Sequence, residues 1–328
     1  MSRDMVMQTR DLVRHFPIGG KQKVHAVNGV SMEIAAGETL ALVGESGCGK
    51  SSFARLIMGL DRPDSGSARL LGQELTQLRG AGLHAHRKAV QMIFQDPTSS
   101  LDPRWTAEAI VREPLDNYKV GTPDERRARV LDLLDRVGLG AHYAERYPHE
   151  MSGGQRQRLG IARALALEPR LLVADEPVSA LDVSIRAQVL NLLCDLRDEM
   201  NLSLLFISHD IGVVSHVSDR VAVMYLGRVI ETGKTFDVLN NPKHPYTSGL
   251  LEAVPRPHPS QRRERAPLDG DPPSPIHLPQ GCAFRDRCPV AMEVCGRFTP
   301  ALKPDAEGRI VACHHANPVK PELEPTHV

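Results

Sequence analysis

The chain has 328 residues, 24% charged and 41% hydrophobic, and its 40 Lys plus Arg balance its 40 Asp plus Glu, so the formal net charge is zero. At about 150 residues per domain this length predicts about two domains with a sizeable core, and the composition excludes wholesale disorder or a collagen-like repeat. The neutral balance argues against a chain whose main task is coating nucleic acid or an acidic membrane. No stretch approaches the ~20 apolar residues of a membrane span, and Met-Ser-Arg-Asp at the N-terminus opens no basic-then-apolar leader, so the expected compartment is the cytoplasm.

In chain order, the first strong element is an apolar strand, Thr39–Val43, followed by Gly44-Glu45-Ser46-Gly47-Cys48-Gly49-Lys50-Ser51-Ser52. This fits G-x-x-x-x-G-K-S/T between a strand and a helix, the context of a phosphate-binding loop. The glycines let successive N–H groups turn inward around phosphates. Lys50 is then expected at the β- and γ-phosphates and Ser51 on Mg²⁺. Cys48 reads as a small packed residue rather than a nucleophile.

Further apolar runs at 90–94, 171–174, 204–207 and Arg220–Tyr225 predict strands buried on both faces. Thr122-Pro123-Asp124-Glu125 is a capping box with Pro at the first helical position, and Val130, Leu133, Leu134 and Val137 follow at helical spacing. Val189, Leu192, Leu193 and Leu196 mark another helix. Strand–helix alternation predicts an α/β fold with a largely parallel sheet. The strand at 171–174 runs into Asp175-Glu176. It is expected beside the phosphate-loop strand, with Asp175 holding Mg²⁺ through water and Glu176 polarising the attacking water.

Met151-Ser152-Gly153-Gly154-Gln155 opens a helix and presents a second anion-gripping helix start. Two such starts in one chain are natural if the second serves a nucleotide held by a partner chain.

Proline divides the sequence. Of 25 prolines, 14 lie in residues 255–328, and Pro255-Arg-Pro-His-Pro opens that region as a stiff linker. The boundary is placed near 255, giving units at 1–254 and 255–328. The second is loop-rich and holds Cys282, Cys288, Cys295 and Cys313, four of the six cysteines. In a reducing compartment such clustering points to metal ligation more than to disulfides. The quartet could hold an iron–sulfur cluster or, with His314 and His315 adjoining, zinc.

Taken together, these motifs resemble the ATP-binding cassette (ABC) ATPases. The loop at Gly44–Ser51 resembles Walker A, residues 171–176 resemble Walker B, and Met151-Ser-Gly-Gly-Gln is similar to the L-S-G-G-Q signature with Met for Leu. Gln95 resembles the Q-loop glutamine, Ser179-Ala-Leu-Asp182 the D-loop, and His209 the switch histidine. The extended segment Phe94-Gln-Asp-Pro-Thr-Ser-Ser-Leu-Asp-Pro-Arg104, His244-Pro-Tyr-Thr and Gly281-Cys-Ala-Phe-Arg-Asp-Arg-Cys-Pro289 narrow the resemblance to oligopeptide/dipeptide importer ATPases, over about residues 5–315.

The resemblance implies a P-loop core, an antiparallel N-terminal sub-sheet, a helical subdomain at about 96–160 and a small C-terminal domain. It implies ATP and Mg²⁺ as cofactors, with Ser51, Gln95 and Asp175 at the metal, and Glu176, His209 and Gln95 as the hydrolytic residues. Ser152, Gly153, Gly154, Gln155 and Asp182 would act across a head-to-tail dimer, and Phe16 in Val13-Arg-His-Phe is the expected adenine-stacking residue, with His15 or a residue near Val24 as alternatives. A [4Fe-4S] cluster on the four cysteines is implied, zinc being the alternative, with a structural or regulatory role rather than a part in hydrolysis. Implied partners are two membrane permeases, a second ATPase chain (a copy or a relative) and, indirectly, an extracytoplasmic solute-binding protein, with no nucleic acid. The location would be the cytoplasmic face of the cell membrane. Competing readings are a soluble ABC ATPase acting on nucleic acid or ribosomes, a P-loop kinase, an electron-transfer module, or an importer for nickel, glutathione or sugars.

Overall fold

The computed structural model describes residues 4–20, 22–253 and 270–318. The expected boundary near 255 lies outside the described residues. Two sheets organise the molecule. The first is antiparallel, in the order β2-β1-β4-β5, built from β1 (Met5–Gly19), β2 (Gln22–Ala35), β4 (Ser65–Leu70) and β5 (Gln73–Glu74).

The second sheet has the order β11-β12-β10-β9-β3-β8-β7-β6. Its parallel part comprises β3 (Thr39–Val43), β6 (Val90–Ile93), β7 (Leu171–Asp175), β8 (Ser203–Ser208) and β9 (Arg220–Tyr225). An antiparallel extension adds β10 (Arg228–Lys234), β12 (Ile310–Val311) and β11 (Lys303–Pro304). One expectation is corrected here. The strand ending in Asp175 is not the neighbour of the phosphate-loop strand, because β8 pairs with both and lies between them. The order of strands in a parallel sheet is set by crossovers, which local sequence does not encode.

The central strands are apolar except near their ends because both faces are covered. Leu40 and Leu42 point into one core layer, shared with Phe53 and Leu56 of α1 (Lys50–Ile57) and with Leu12 and Ile34 of the antiparallel sheet. Ala41 and Val43 point into the other. That layer is filled by α4 (Ala107–Asn117), α5 (Pro123–Arg136), α6 (Gly153–Leu165) and α7 (Val183–Met200). Smaller helices complete the chain: α2 (Gly80–Ala89), α3 (Pro97–Ser100), α8 (Ile211–Val217), α9 (Thr235–Asn240), α10 (Pro245–Glu252) and α11 (Glu293–Arg297). The predicted capping box forms: the Glu125 N–H donates to the Thr122 hydroxyl and the Thr122 N–H to the Glu125 carboxylate.

Residues 270–318 pack directly on this body. Cys282, Phe284 and Cys295 belong to the same core layer as the sheet's Tyr225. Val311 of β12 pairs with Glu231 of β10. The Glu231 carboxylate is fully buried. It is held by Arg309 at 3.2 Å and accepts the N–H groups of Lys243 and His244.

Candidate functional site

The phosphate loop leaves β3 at Gly44 and enters α1 at Lys50. Gly49 caps that helix at φ 107°, and a Cβ there would lie 2.0 Å from the Ala26 carbonyl oxygen, so no other residue fits. Ser46 and Gly47 are exposed at the loop's crest. The Lys50 side chain is buried and folds back, donating to the Gly44 and Glu45 carbonyls at 2.7 and 3.0 Å. Cys48 is buried and burial raises its thiol pKa, in keeping with a packed neutral thiol.

Asp175 sits at the buried end of β7. Burial is the main cause of its raised pKa, opposed by a hydrogen bond from Ser51 and by the Lys50 charge. Its Oδ1 atom is buried with no hydrogen-bond partner among the described residues. A buried, unpaired carboxylate oxygen beside a serine hydroxyl is a donor set suited to a hard cation such as Mg²⁺.

The next residue carries the expected chemistry. Glu176 has φ 46°, a strained conformation for a non-glycine residue. Its Oε2 accepts from Gln95 Nε2 at 3.0 Å, and its Oε1 lies 3.1 Å from His209 Nδ1. Gln95 follows β6 and His209 follows β8, so three strand ends bring the three side chains together.

The signature occupies a different surface. Ser152 caps α6, accepting from the Gln155 N–H at 3.3 Å, while the Ser152 N–H donates to Gln155 Oε1 at 2.9 Å. Ser152 and Gly153 are exposed. Gly154 is buried, and a Cβ there would strike Ile185 at 2.5 Å, which accounts for glycine. Asp182 is exposed at the N-cap of α7, and Val183 beside it is 80% exposed. Ser179 folds back on the Glu176 carbonyl through its hydroxyl at 3.0 Å. The signature and D-loop therefore share one solvent-facing surface, continuous with Glu176 through a short turn. Ser52, on the first turn of α1, is half-buried.

At the other end, Phe16 pairs with Val24 across the β1–β2 hairpin, and the Arg14 guanidinium lies 4.7 Å from its ring. Ala26 of the same strand touches the phosphate loop, so the hairpin end overhangs it. His15 and His25 form a pair there, with ring centroids 4.2 Å apart.

Known proteins share this arrangement. A family profile for "ABC transporter" matches residues 27–179, and one for "Oligopeptide/dipeptide transporter, C-terminal region" matches residues 230–295. The oligopeptide transport ATP-binding protein AppF of Bacillus subtilis is 49% identical over 322 residues, covering 95% of this chain and 98% of that protein. The oligopeptide transport ATP-binding protein OppF of Escherichia coli is 50% identical, covering 92% and 93%. The chain belongs to the ATP-binding subunits of the oligopeptide/dipeptide ABC transporter family. Among solved structures, the dimeric post-hydrolysis state of the cassette MJ0796 bound to ADP and Pi matches with a TM-score of 0.64 and 30% identity, covering 70% of this chain and 98% of that one.

Membership of the ABC family makes the chain an ATPase. Among the described residues no helix is long and apolar enough to cross a membrane.

The C-terminal part of this ABC ATPase holds what sequence reasoning missed. Tyr246 of the His-Pro-Tyr-Thr segment is fully buried, and its hydroxyl accepts the Glu45 N–H at 2.9 Å. Its ring packs on Tyr225 and edge-on against Phe284. Arg287 reaches the same loop residue: its two terminal nitrogens meet the two Glu45 carboxylate oxygens at 2.8 and 2.9 Å. This segment therefore touches the phosphate loop directly. Separated by 242 residues, Arg287 and Glu45 carry no spacing signal; only the presence of Arg287 inside a quoted motif pointed to it.

All four C-terminal cysteines are free thiols. Burial is the main cause of the Cys282 thiol's rise to about 11, reinforced by Cys295, Cys313 and Cys288. Burial likewise raises Cys288. The Phe284 N–H points at the Cys282 sulfur and the Val290 N–H at the Cys288 sulfur. The four are thus within electrostatic reach of one another. Among the described residues, however, no three cysteine, histidine or carboxylate side chains form a group that could hold a single metal ion. The His314 ring is engaged with the Phe298 carbonyl at 2.9 Å.

Proposed function

We propose that this chain hydrolyses ATP at a head-to-tail cassette dimer and drives import of di- or oligopeptides through membrane permeases. The observation that carries the reading is the convergence of Gln95 and His209 on Glu176, with an exposed signature and D-loop beside it. A site that must be completed by a partner needs its second phosphate grip exposed, and Ser152 and Gly153 are exposed.

The reaction is in-line attack of water on the γ-phosphate. Backbone N–H groups between Ser46 and Ser52 and the Lys50 ammonium cradle the phosphates, once Lys50 leaves the carbonyls it now holds, while the Glu45 N–H stays on Tyr246. Magnesium, when bound, neutralises the β- and γ-phosphate charge, and Asp175, Ser51 and Gln95 would hold it. Glu176 accepts the proton of the attacking water, and Gln95 and His209 fix the Glu176 carboxylate and position the water. Phe16 stacks on the adenine. From the partner, Ser152, Gly153, Gly154 and Gln155 grip the γ-phosphate, and Asp182 lies across the interface.

As in the ABC transporters it resembles, the cassette would sit on the cytoplasmic face of the membrane, paired with a second ATPase chain and two permeases and served by an extracytoplasmic solute-binding protein. The peptide solute is inferred from relatives such as AppF and OppF, whose names specify oligopeptide transport. Residues 1–254 form the nucleotide-binding unit, with 96–160 as its helical part, and 255–328 form the C-terminal unit.

Cys282, Cys288, Cys295 and Cys313 would hold a [4Fe-4S] cluster, which when bound cross-links an otherwise loop-rich segment. Zinc is the alternative that four thiols also allow. The N–H groups of Phe284 and Val290 already point at sulfurs and would stabilise thiolates.

Reconstitution with its permeases in proteoliposomes tests the reading. ATP inside the assay's cytoplasmic compartment should drive uptake of a labelled tripeptide, and Glu176→Gln should abolish it. Uptake of nickel or a sugar but no peptide would replace the solute. ATP hydrolysis stimulated by nucleic acid rather than by permeases would replace the whole assignment.

A further inference from the structure

The phosphate loop is tied down at its first variable residue by Lys50 within it and by two groups far away in the chain. Glu45 is held at four atoms. Its N–H donates to Tyr246, its carbonyl accepts from Lys50, and its carboxylate forms a two-point pair with Arg287. The Arg287 side chain is 5% exposed and Glu45 27%. Arg287 also lies 5.9 Å from the Tyr225 ring and 5.8 Å from the Phe284 ring, so the guanidinium is walled by aromatics on the protein side. It belongs to the one-turn 3₁₀ segment Arg285–Arg287, immediately before Cys288.

We propose that Arg287 is a positioning residue of the nucleotide site: its guanidinium neutralises and clamps Glu45, so that the cysteine-bearing segment sets the shape and charge of the phosphate loop. This deepens the ATP-site reading above and rests on it. The physical case has two parts. A planar guanidinium meeting a carboxylate through two parallel bonds fixes orientation as well as distance. The Glu45 carboxylate also sits on the loop that must receive a polyanion. Unpaired, it would repel the phosphates; paired with Arg287, it does not. The bond therefore acts on nucleotide affinity, and it places that affinity under the control of a segment 242 residues away in the chain. By linkage, whatever loosens the turn carrying Arg287 weakens nucleotide binding.

The test is a double-mutant cycle on the full chain, read by equilibrium binding of MgATP, by the KM and kcat of hydrolysis, and by thermal unfolding without nucleotide. Arg287→Met should weaken MgATP binding about tenfold, raising KM with little change in kcat. Glu45→Gln loses the two-point geometry but also the negative charge that needs it, and should weaken affinity less than about threefold. Combining the two should restore affinity to within about threefold of the parent, because no carboxylate is left unpaired beside the phosphates. Arg287→Lys keeps the charge but loses the two-point geometry, and should fall between Arg287→Met and the parent even if Arg287→Met folds poorly. Parent-like affinity in Arg287→Met or in Arg287→Lys overturns the clamp. So does a double variant as weak as Arg287→Met, which would mean that the damage lies in the cysteine segment's own structure. A parent chain that binds no MgATP overturns the ATP reading and the clamp together.

Discussion

The nucleotide site and the cysteine-bearing segment solve opposite problems. At the nucleotide site each functional side chain is positioned by its own element: Lys50 by a helix start, Asp175 and Glu176 by a strand end, and Gln95 and His209 by the ends of flanking strands. In residues 270–318 almost nothing is positioned locally. Phe284 is seated among Tyr225, His244 and Tyr246, Arg287 is fixed by Glu45, and the two-residue strand β12 is held by β10 on one side and β11 on the other. A segment with so little regular structure of its own acquires shape by borrowing the core of another, because its own apolar surface is too small to offset the entropy of ordering it. The consequence runs in both directions: the borrowed core also gains a strut.

If the two regions share one core, damage in the second must reach the first. The largest effect is expected from Phe284→Ala, which removes a buried ring from among three aromatic or heteroaromatic rings. Chemical denaturation should show a loss of about 3–5 kcal/mol. Unfolding of the C-terminal segment alone, with the cassette transition unchanged, would break the comparison. Glu176→Gln sharpens it from the other side. Turnover should fall at least ~10²-fold with MgATP affinity and unfolding midpoint retained, since only the general base is lost.

Lys50→Ala should weaken MgATP binding by about tenfold or more, by removing the ammonium opposite the β- and γ-phosphates. Equal affinity in mutant and parent would remove Lys50 from that role. The smallest effect on affinity belongs to the quartet. Cys288→Ser should loosen the turn that carries Arg287 and weaken MgATP binding about two- to threefold, less than Arg287→Met itself. The same preparation made without oxygen decides the metal. About four irons per chain and a brown colour lost in the variant support the cluster, whereas one zinc and no colour would replace it.

Much of the nucleotide site was legible because its determinants are local. A strand, six intervening residues, Lys and Ser imply backbone geometry directly, and Ser152 with Gln155 is a capping box in four residues. The alternation of Leu40, Ala41, Leu42 and Val43 into two core layers follows from the strand period alone. What could not be read is non-local. That β8 intervenes between β3 and β7 depends on crossover topology. The Glu45–Arg287 and Glu231–Arg309 pairs join residues with no fixed spacing. The buried role of Tyr246 was hidden for the same reason: its partner, the Glu45 N–H, is a backbone atom that no residue identity announces.

The central claim is that the exposed signature completes a partner's nucleotide site. It is tested most directly by sedimentation of the Glu176→Gln chain with and without MgATP. Because this variant binds but does not hydrolyse, ATP should persist between two cassettes and convert the chain from monomer to dimer, and adding Ser152→Arg to the same chain should return it to monomer with ATP still bound. A chain that binds MgATP yet stays monomeric, or a dimer indifferent to Ser152→Arg, would contradict the account.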